Sequence, residues 1–293
     1  MRNTGGFRVA GTGLVAIKRR IKSVTNTKKI TKAMGLVATS KLRKTKEELD
    51  ICNLYDESFS KILNDVLKDN SISSIYLDGN GSKKKLYIVV TSDTGLCGSF
   101  NLNILNRATQ EISKDMKNSI IIVIGEKGVS FFNRFNYNLI QKYINIADVP
   151  SLGDANEVST YGLKLYDDSE VGEINVIYTK FFSQTKQEVV VEKLLPFDKV
   201  SLNAAANGDN ILFEPYTNTF LRDVIPLYMR EKMLNFLIHS KTSEQSIRMS
   251  AMDGATKNAN QLLDKLKLQY NRMRQGAITQ EISEIVGGAE AQK

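Results

Sequence analysis

The stretch Ile17–Lys46, IKRRIKSVTNTKKITKAMGLVATSKLRKTK, decides the architecture. It holds no proline and no acid, and thirteen Lys or Arg precede the first carboxylate of the chain, Glu47. Small and apolar residues recur along it at coiled-coil spacing: Ile17, Ile21, Val24, Thr31, Gly35, Ala38 and Leu42. The stripe continues through Leu49, Cys52, Phe59, Leu63 and Val66, and Lys28, Thr45 and Asp56 interrupt it. The spacing predicts one helix over residues 14–69, preceded by a flexible lead-in over 1–13. At 1.5 Å per residue, about 55 residues span roughly 80 Å, about twice the width of a compact domain of this mass. Such a helix needs a partner helix along its stripe. It also needs an anionic surface along the rest, because no acid at i+4 offsets its charge before Glu47.

The other end of the chain supplies the partner. Leu234, Ile238, Met252, Ala255, Ala259, Leu262, Leu266, Met273 and Ala277 mark a second stripe, with no proline after Pro226. The pattern predicts a helix over 218–288, roughly 100 Å long, with Gly287 and Gly288 as its stop. Paired antiparallel, the two helices bury each other's stripes and leave their charged faces free.

Between them, residues 83–215 read as an α/β domain. Lys85–Thr91 and Ser119–Gly125 are continuous apolar runs of buried-strand type, and helices are expected at Leu102–Met116, Glu126–Phe135 and Ala155–Tyr166. Glu173–Phe182 and Glu188–Leu195 alternate about Ser183-Gln184-Thr185 and predict a hairpin. The fold class is therefore α/β plus a long antiparallel coiled coil, with a Rossmann-like domain inserted between the paired terminal helices.

Composition narrows the chemistry. A single histidine, His239, excludes acid–base work by a pair of histidines, and with only Cys52 and Cys97 a zinc site of several Cys and His is excluded too. The net charge is +8, yet residues 1–46 carry +13, so the remaining 247 residues carry −5. That asymmetry points to a binding surface. Nucleic acid fits poorly, since the basic stretch has no aromatic residue for stacking. Anionic lipid fits poorly too, for want of a strong apolar face. An acidic protein surface fits best.

Ser92–Asn101, SDTGLCGSFN, follows a strand and precedes a helix, where a phosphate loop would sit. It lacks both G-x-G-x-x-G and G-x-x-x-x-G-K-[ST]. The plainer expectation is a tight turn, with Gly95 and Gly98 giving backbone freedom and Asn101 capping the next helix. Cys97 is expected to be an inert small residue, His239 a solvated or half-buried side chain, and Asp167-Asp168 a solvated loop pair. Arg272, Arg274, Gln275, Thr279, Gln280 and Glu281 crowd polar groups into three turns of the C-terminal helix, for solvent or for a surrounding surface.

Three segments together, Ile17–Lys44, Ser92–Asn101 and Ser243–Ala289, resemble the γ subunit of F-type ATP synthases. The resemblance implies a non-catalytic central rotor shaft without cofactors, turning inside an α3β3 hexamer, one copy per complex. Its α/β domain then meets the ε subunit and the membrane c-ring, on the cytoplasmic face of a bacterial membrane or the matrix side of the mitochondrial inner membrane. Proton or sodium-ion flow drives the family's rotor. Carried over residue by residue, Arg274, Gln275, Thr279 and Glu281 match positions that hydrogen-bond the catalytic ring. Met34 and Arg248 match a coupled pair near the acidic β loop, with Lys28 and Lys32 alongside. Ser92, Asp93, Thr94, Gly95, Cys97 and Asn101 match the foot near ε and the c-ring. Thr94 and Ser99 stand where the family often has Arg and Gly, which alters the electrostatics of that loop. Gly276 stands where Ala or Ser is commoner, which softens the tip. The alternatives are a basic coiled-coil nucleic-acid-binding or scaffold protein, and an enzyme using Ser92–Asn101 as a phosphate cradle.

Overall fold

A computed structural model describes residues 5–67, 74–197 and 217–290. The elements in chain order are α1 (Gly5–Leu67), α2 (Ile75–Asp78), β1 (Lys85–Val90), α3 (Phe100–Ile112), a 3-10 turn (Ser113–Asn118), β2 (Ser119–Ile124), α4 (Glu126–Arg134), β3 (Leu139–Tyr143), α5 (Leu152–Asp167), β4 (Glu173–Phe181), β5 (Gln187–Leu195) and α6 (Thr217–Glu290). The described residues form two compact units, one drawn from 1–37 and 249–293, the other from 38–248.

In the second unit the sheet runs β3-β2-β1-β4-β5. The first four strands are mutually parallel and β5 pairs antiparallel with β4, as the hairpin pattern predicts. The apolar runs of β1 and β2 are buried throughout because both faces of the sheet are covered. Leu86, Ile88, Val90, Ile122 and Ile174 point to one face, against Ala155 and Val158 of α5 and Met229, Met233 and Phe236 of α6. Tyr87, Val89, Ile121, Val123 and Ile177 point to the other, against Phe100, Ile104 and Ala108 of α3 and Val129 and Phe132 of α4. The 38–67 portion of α1 joins this unit through Leu63, in the first of these clusters, and through cross-helix bonds to α6. Lys232 Nζ lies 2.9 Å from Asp56 Oδ2, and Asn235 Nδ2 donates to Asn53 Oδ1 at 2.9 Å. Phe59 stacks on Tyr228 at 5.9 Å between centroids. Asp56, an interruption of the stripe, therefore has its countercharge on the partner helix. Thr45, another, is fully buried with its hydroxyl donating to the Leu42 carbonyl.

In the first unit the two helices pair antiparallel. Gly35 faces Met252 closely enough that a Cβ there would sit 3.5 Å from the Met252 Cβ. One turn toward the N-terminus on α1, the Thr31 hydroxyl meets the Thr256 hydroxyl at 2.8 Å. Four residues back on one helix thus match four forward on the other. Met252, Ala259, Leu263 and Leu266 are the buried residues of the α6 side. The stripe uses Leu263 and not Leu262, which is 37% exposed, because a straight helix drifts from a strict heptad.

Several expected features differ in the structure. Helix α1 begins at Gly5, nine residues ahead of the start placed at Leu14, and α6 runs through Gly287 and Gly288 to Glu290. The edge strand β3 and the single turn α2 were not anticipated. Asp167 closes α5 and accepts a hydrogen bond from the Tyr76 hydroxyl at 2.9 Å, so it is tied rather than merely solvated. Val66 and residues 198–215, which the reading placed on the stripe and in the α/β domain, lie outside the residues whose side chains or positions are described.

Gly276 has no other group within 4 Å of where a Cβ would stand, and its φ is ordinary for a helix. Gly276→Ala should therefore stabilise α6 by about 0.5–1 kcal/mol, through reduced backbone entropy in the unfolded chain. A higher urea midpoint with unchanged slope is the expected readout; a lower midpoint would contradict the open geometry.

Candidate functional site: the switch-point loop and the basic coil

The order β3-β2-β1-β4 reverses direction between β1 and β4, so the loop after β1 stands at a topological switch point. In open α/β sheets this crevice is the usual ligand site. Here α6 fills it. Residues 235–246 of α6 are buried on every side, although ten polar or charged residues lie between Asn235 and Arg248 among those buried.

Ser92–Asn101 is closed by its own side chains. Asn101 Oδ1 accepts from the Ser92 amide at 3.0 Å, and Asn101 Nδ2 donates to Ser92 Oγ at 2.7 Å and Cys97 Sγ at 3.3 Å. Ser92 Oγ donates to the Thr94 carbonyl at 2.7 Å. Asn101 thus binds back across the turn instead of capping α3, whose N-cap is Ser99. Gly98 does use positive φ, at 56°, but its companion is Leu96 at 61°, not Gly95. Asp93 Oδ1 accepts the amides of Glu126, at 3.2 Å, and Asn145, at 3.1 Å. The N-terminus of α4 is therefore already occupied by a carboxylate of the same chain. A phosphate at that helix end would meet a carboxylate already in place, which weighs against the cradle reading on the α4 side of the loop.

The cations opposite this loop come from α6. Lys241 Nζ lies 3.9 Å from Asp93 Oδ2 and donates to the Ile146 carbonyl at 3.2 Å. Arg248 Nη2 donates to Thr94 Oγ1 at 3.0 Å and to the carbonyls of Thr94 and Gly95, both at 3.3 Å. Its Nη1 meets Glu244 Oε1 at 2.6 Å and Gln245 Oε1 at 3.1 Å. Positive charge thus reaches the loop at Thr94 from α6, through Arg248. The Arg248 side chain is 9% exposed. Its donors point into its own chain rather than outward to a ring, which sets it apart from the other residues matched to that role.

His239 is 4% exposed, not solvated. Its Nδ1 accepts the Phe181 amide at 3.3 Å, and burial, with help from Lys180 and Lys232, pushes its pKa down to about 4. The missed signal was the aperiodic apolar run Met233–Ile238 interrupted only by Asn235, which marks a helix covered all round. Above pH 6.5 the ring is neutral in both folded and unfolded chains, and its contribution to stability is complete. As pH falls below 6.5 the unfolded chain takes up a proton that the folded chain refuses until about 4. Stability should drop by about 2 kcal/mol from this group by pH 5. The pH dependence of the urea midpoint should be shallower in His239→Gln, whose amide oxygen can still accept from Phe181; equal slopes would refute the assignment.

The thiols are inert by position: Cys97 is 3% exposed, and burial raises Cys52 to about 11. No grouping of His, Cys, Asp and Glu able to hold a metal exists among the described residues. None of their helices is long and apolar enough to cross a membrane.

On the first unit, Lys18, Arg19, Arg20, Lys22, Lys29 and Lys32 are exposed, and Lys28 and Met34 half-buried. Among the described residues of α1, ion pairs begin at Lys41, with Asp148, and Arg43, with Glu47. Toward the end of α6, Arg274, Gln275, Thr279 and Glu281 are all exposed. The Thr279 hydroxyl donates back to the Gln275 carbonyl at 2.9 Å. Ile278, Ile282, Ile285 and Val286 are 46–71% exposed around the same turns.

Comparison with known proteins agrees with this anatomy. The family model described as ATP synthase matches residues 13–292. The ATP synthase gamma chain of Clostridium kluyveri is 53% identical over 285 residues, 97% of this chain and all of the relative. That of Clostridium pasteurianum is 50% identical over 281 residues, 96% of this chain and 99% of the relative. Among solved structures, the central stalk and c-ring of the Tetrahymena thermophila mitochondrial ATP synthase matches with TM-score 0.61 and 26% identity, over 77% of this chain and 99% of that one. A chain of the Euglena gracilis mitochondrial ATP synthase OSCP/F1/c-ring structure shares the fold, with TM-score 0.69 and 19% identity over 96% of this chain and 95% of its own. A paired-helix coil with a basic face, an α/β section whose ligand crevice is plugged, and full-length likeness to these gamma chains lead to one conclusion: this chain belongs to the ATP synthase gamma chain family.

Proposed function

We infer that this chain is the central rotor shaft of an F-type ATP synthase. It makes and breaks no bond in ATP itself. It turns within an α3β3 hexamer and couples ion flow through a membrane c-ring to the conformational cycle of the catalytic β subunits. In this reading the shaft is α1 paired with α6, and the foot is the α/β section, which meets the ε subunit and the c-ring through Ser92–Asn101. The observation that carries it is the exposed cationic face of the coil, from Lys18 to Lys32, with no ion pair to any described residue.

The physics suits a rotating part. A helical pair with no proline in α1 and none after Pro226 in α6 resists bending. Exposed Lys and Arg contacts are individually worth about 0–1 kcal/mol and break easily as the shaft turns. Charge on one side favours one β subunit over its neighbours at each angle, which is the differential affinity that any population shift requires. The exposed apolar turns at Ile278–Val286 suit an apolar collar around the tip. Arg274, Gln275, Thr279, Glu281, Lys28, Lys32 and Met34 are the proposed ring contacts, and Arg248 acts on the loop. The coupling ion is proposed to be the proton, with sodium as the rival, and the complex to sit on the cytoplasmic face of a bacterial membrane.

Co-expressed with the α and β chains of its source, the protein should co-purify as one copy per three of each. Reversing Lys18, Arg19, Arg20 and Lys22 to Glu should weaken retention about tenfold at low salt, and less at high salt. Rapid ATP hydrolysis by the isolated chain would overturn the reading.

A further inference from the structure

Helix α6 is held in the α/β section by directional polar bonds on three of its sides. Toward the Ser92–Asn101 loop, Arg248 forks onto Thr94 and Gly95 and is held by Glu244 at 2.6 Å, while Lys241 donates to the Ile146 carbonyl at 3.2 Å with Asp93 and Glu244 at ion-pair distance. Toward β4 and the hairpin, His239 accepts from the Phe181 amide, Ser243 Oγ donates to the Thr179 carbonyl at 3.1 Å, and Ser246 Oγ donates to the Gln184 carbonyl at 3.3 Å. Toward α1, Lys232 and Asn235 hold Asp56 and Asn53. These residues recur at three- and four-residue intervals, so each set forms a row along the helix.

The chemistry is unusual for a buried helix. Apolar residues at these positions would pack as well or better for stability alone, since buried ion pairs are often no better than apolar substitutes. What polar rows add is a fixed angle and register, because a hydrogen bond loses its energy when the helix rotates or slides and an apolar contact merely changes partner. The Arg248 end of the grip is also the last residue of this compact unit along α6.

We propose that residues 232–248 form a torsional joint, in which polar rows lock the rotation angle of α6 within the α/β section so that load on that section passes into the helix without slip. The inference rests on the rotor reading and names the residues that carry load. Lys241, Glu244 and Arg248 act as positioning residues, as do Ser243 and Ser246; none touches substrate.

The test uses the α3β3 complex with this chain, the ring fixed to a surface and a bead attached through Lys117→Cys on the exposed 3-10 turn. The two native thiols are buried and stay unlabelled. Angular variance of the bead is measured while the ring is held at one nucleotide-bound angle. Ser243→Ala/Ser246→Ala removes three bonds, the two donated to Thr179 and Gln184 and the one Ser246 accepts from Gln187 Nε2, with almost no change of volume; it should raise the variance about twofold, with the unloaded hydrolysis rate unchanged. Arg248→Lys keeps the charge toward Glu244, loses the fork onto the loop, and should raise it similarly. If either assembling variant shows the parent's variance, the joint is refuted, even where its urea midpoint has fallen, because a purely structural role lowers the midpoint alone. A parent complex that assembles but never turns its bead under ATP would instead refute the rotor reading.

Discussion

Arg248→Met should destabilise the chain by about 3–5 kcal/mol, the cost of breaking a buried pair from one side. Glu244 is 4% exposed and receives Arg248 Nη1 at 2.6 Å. Its other cation, Lys241, is 4.0 Å away, beyond hydrogen-bonding distance. Without the guanidinium, one carboxylate oxygen is left buried beside an apolar thioether. The carbonyls of Thr94 and Gly95 lose their donor at the same time. A lowered urea midpoint is the expected readout. The double variant Glu244→Leu/Arg248→Met removes both charges and should recover more than half of the loss. Additive effects of Glu244→Leu and Arg248→Met would show that the two side chains do not act as a pair.

The contrast between α1 and α6 explains what could be read in advance. On α1 the stripe from Ile17 to Leu63 is buried or half-buried wherever it is described, because a coiled seam demands one periodic face. The strands β1 and β2 were equally plain, since both faces of a parallel sheet need apolar residues. On α6 the periodic rule fails between Asn235 and Arg248. The sheet, the Ser92–Asn101 loop and α1 all pack on that stretch, so every side is inside and the stripe disappears. Polar residues there look solvent-facing until the carbonyls and amides they serve are placed around them. Ser243 is the clearest case: its partner, the Thr179 carbonyl, is 64 residues distant in sequence. The short strand Leu139–Tyr143 escaped for the opposite reason. It lies at the sheet edge, none of its residues is fully buried, and LIQKY carries too little apolar signal to stand out.

The same contact logic gives the second large effect, at Gly125. This residue turns the chain from β2 into α4 with φ 96° and ψ 137°, a region that L side chains rarely occupy. A Cβ there would lie 2.4 Å from the Thr91 carbonyl oxygen and 2.8 Å from Thr91 Oγ1. Thr91 cannot step aside. Its amide and hydroxyl both donate to the Ile124 carbonyl, at 2.7 and 2.8 Å, and its Oγ1 accepts the Gly128 amide at 3.0 Å. Gly125→Ala therefore combines a strained backbone with a backbone clash at the C-terminal edge of β1 and β2, and should cost about 3 kcal/mol or more. The damage is expected to spread into Ser92–Asn101, because Thr91 is the residue from which that loop departs and Asp93 binds the Glu126 amide next to Gly125. Hydrogen exchange should show earlier opening at Thr91, Ser92 and Gly128 than in the coil residues Thr31 and Thr256. Against Gly276→Ala, the sign reverses: the same added methyl stabilises where the helix has open space and breaks the fold where two strand ends already touch. A Gly125→Ala chain as stable as the parent would mean that the close approach of β2 to Thr91 is not what holds this turn.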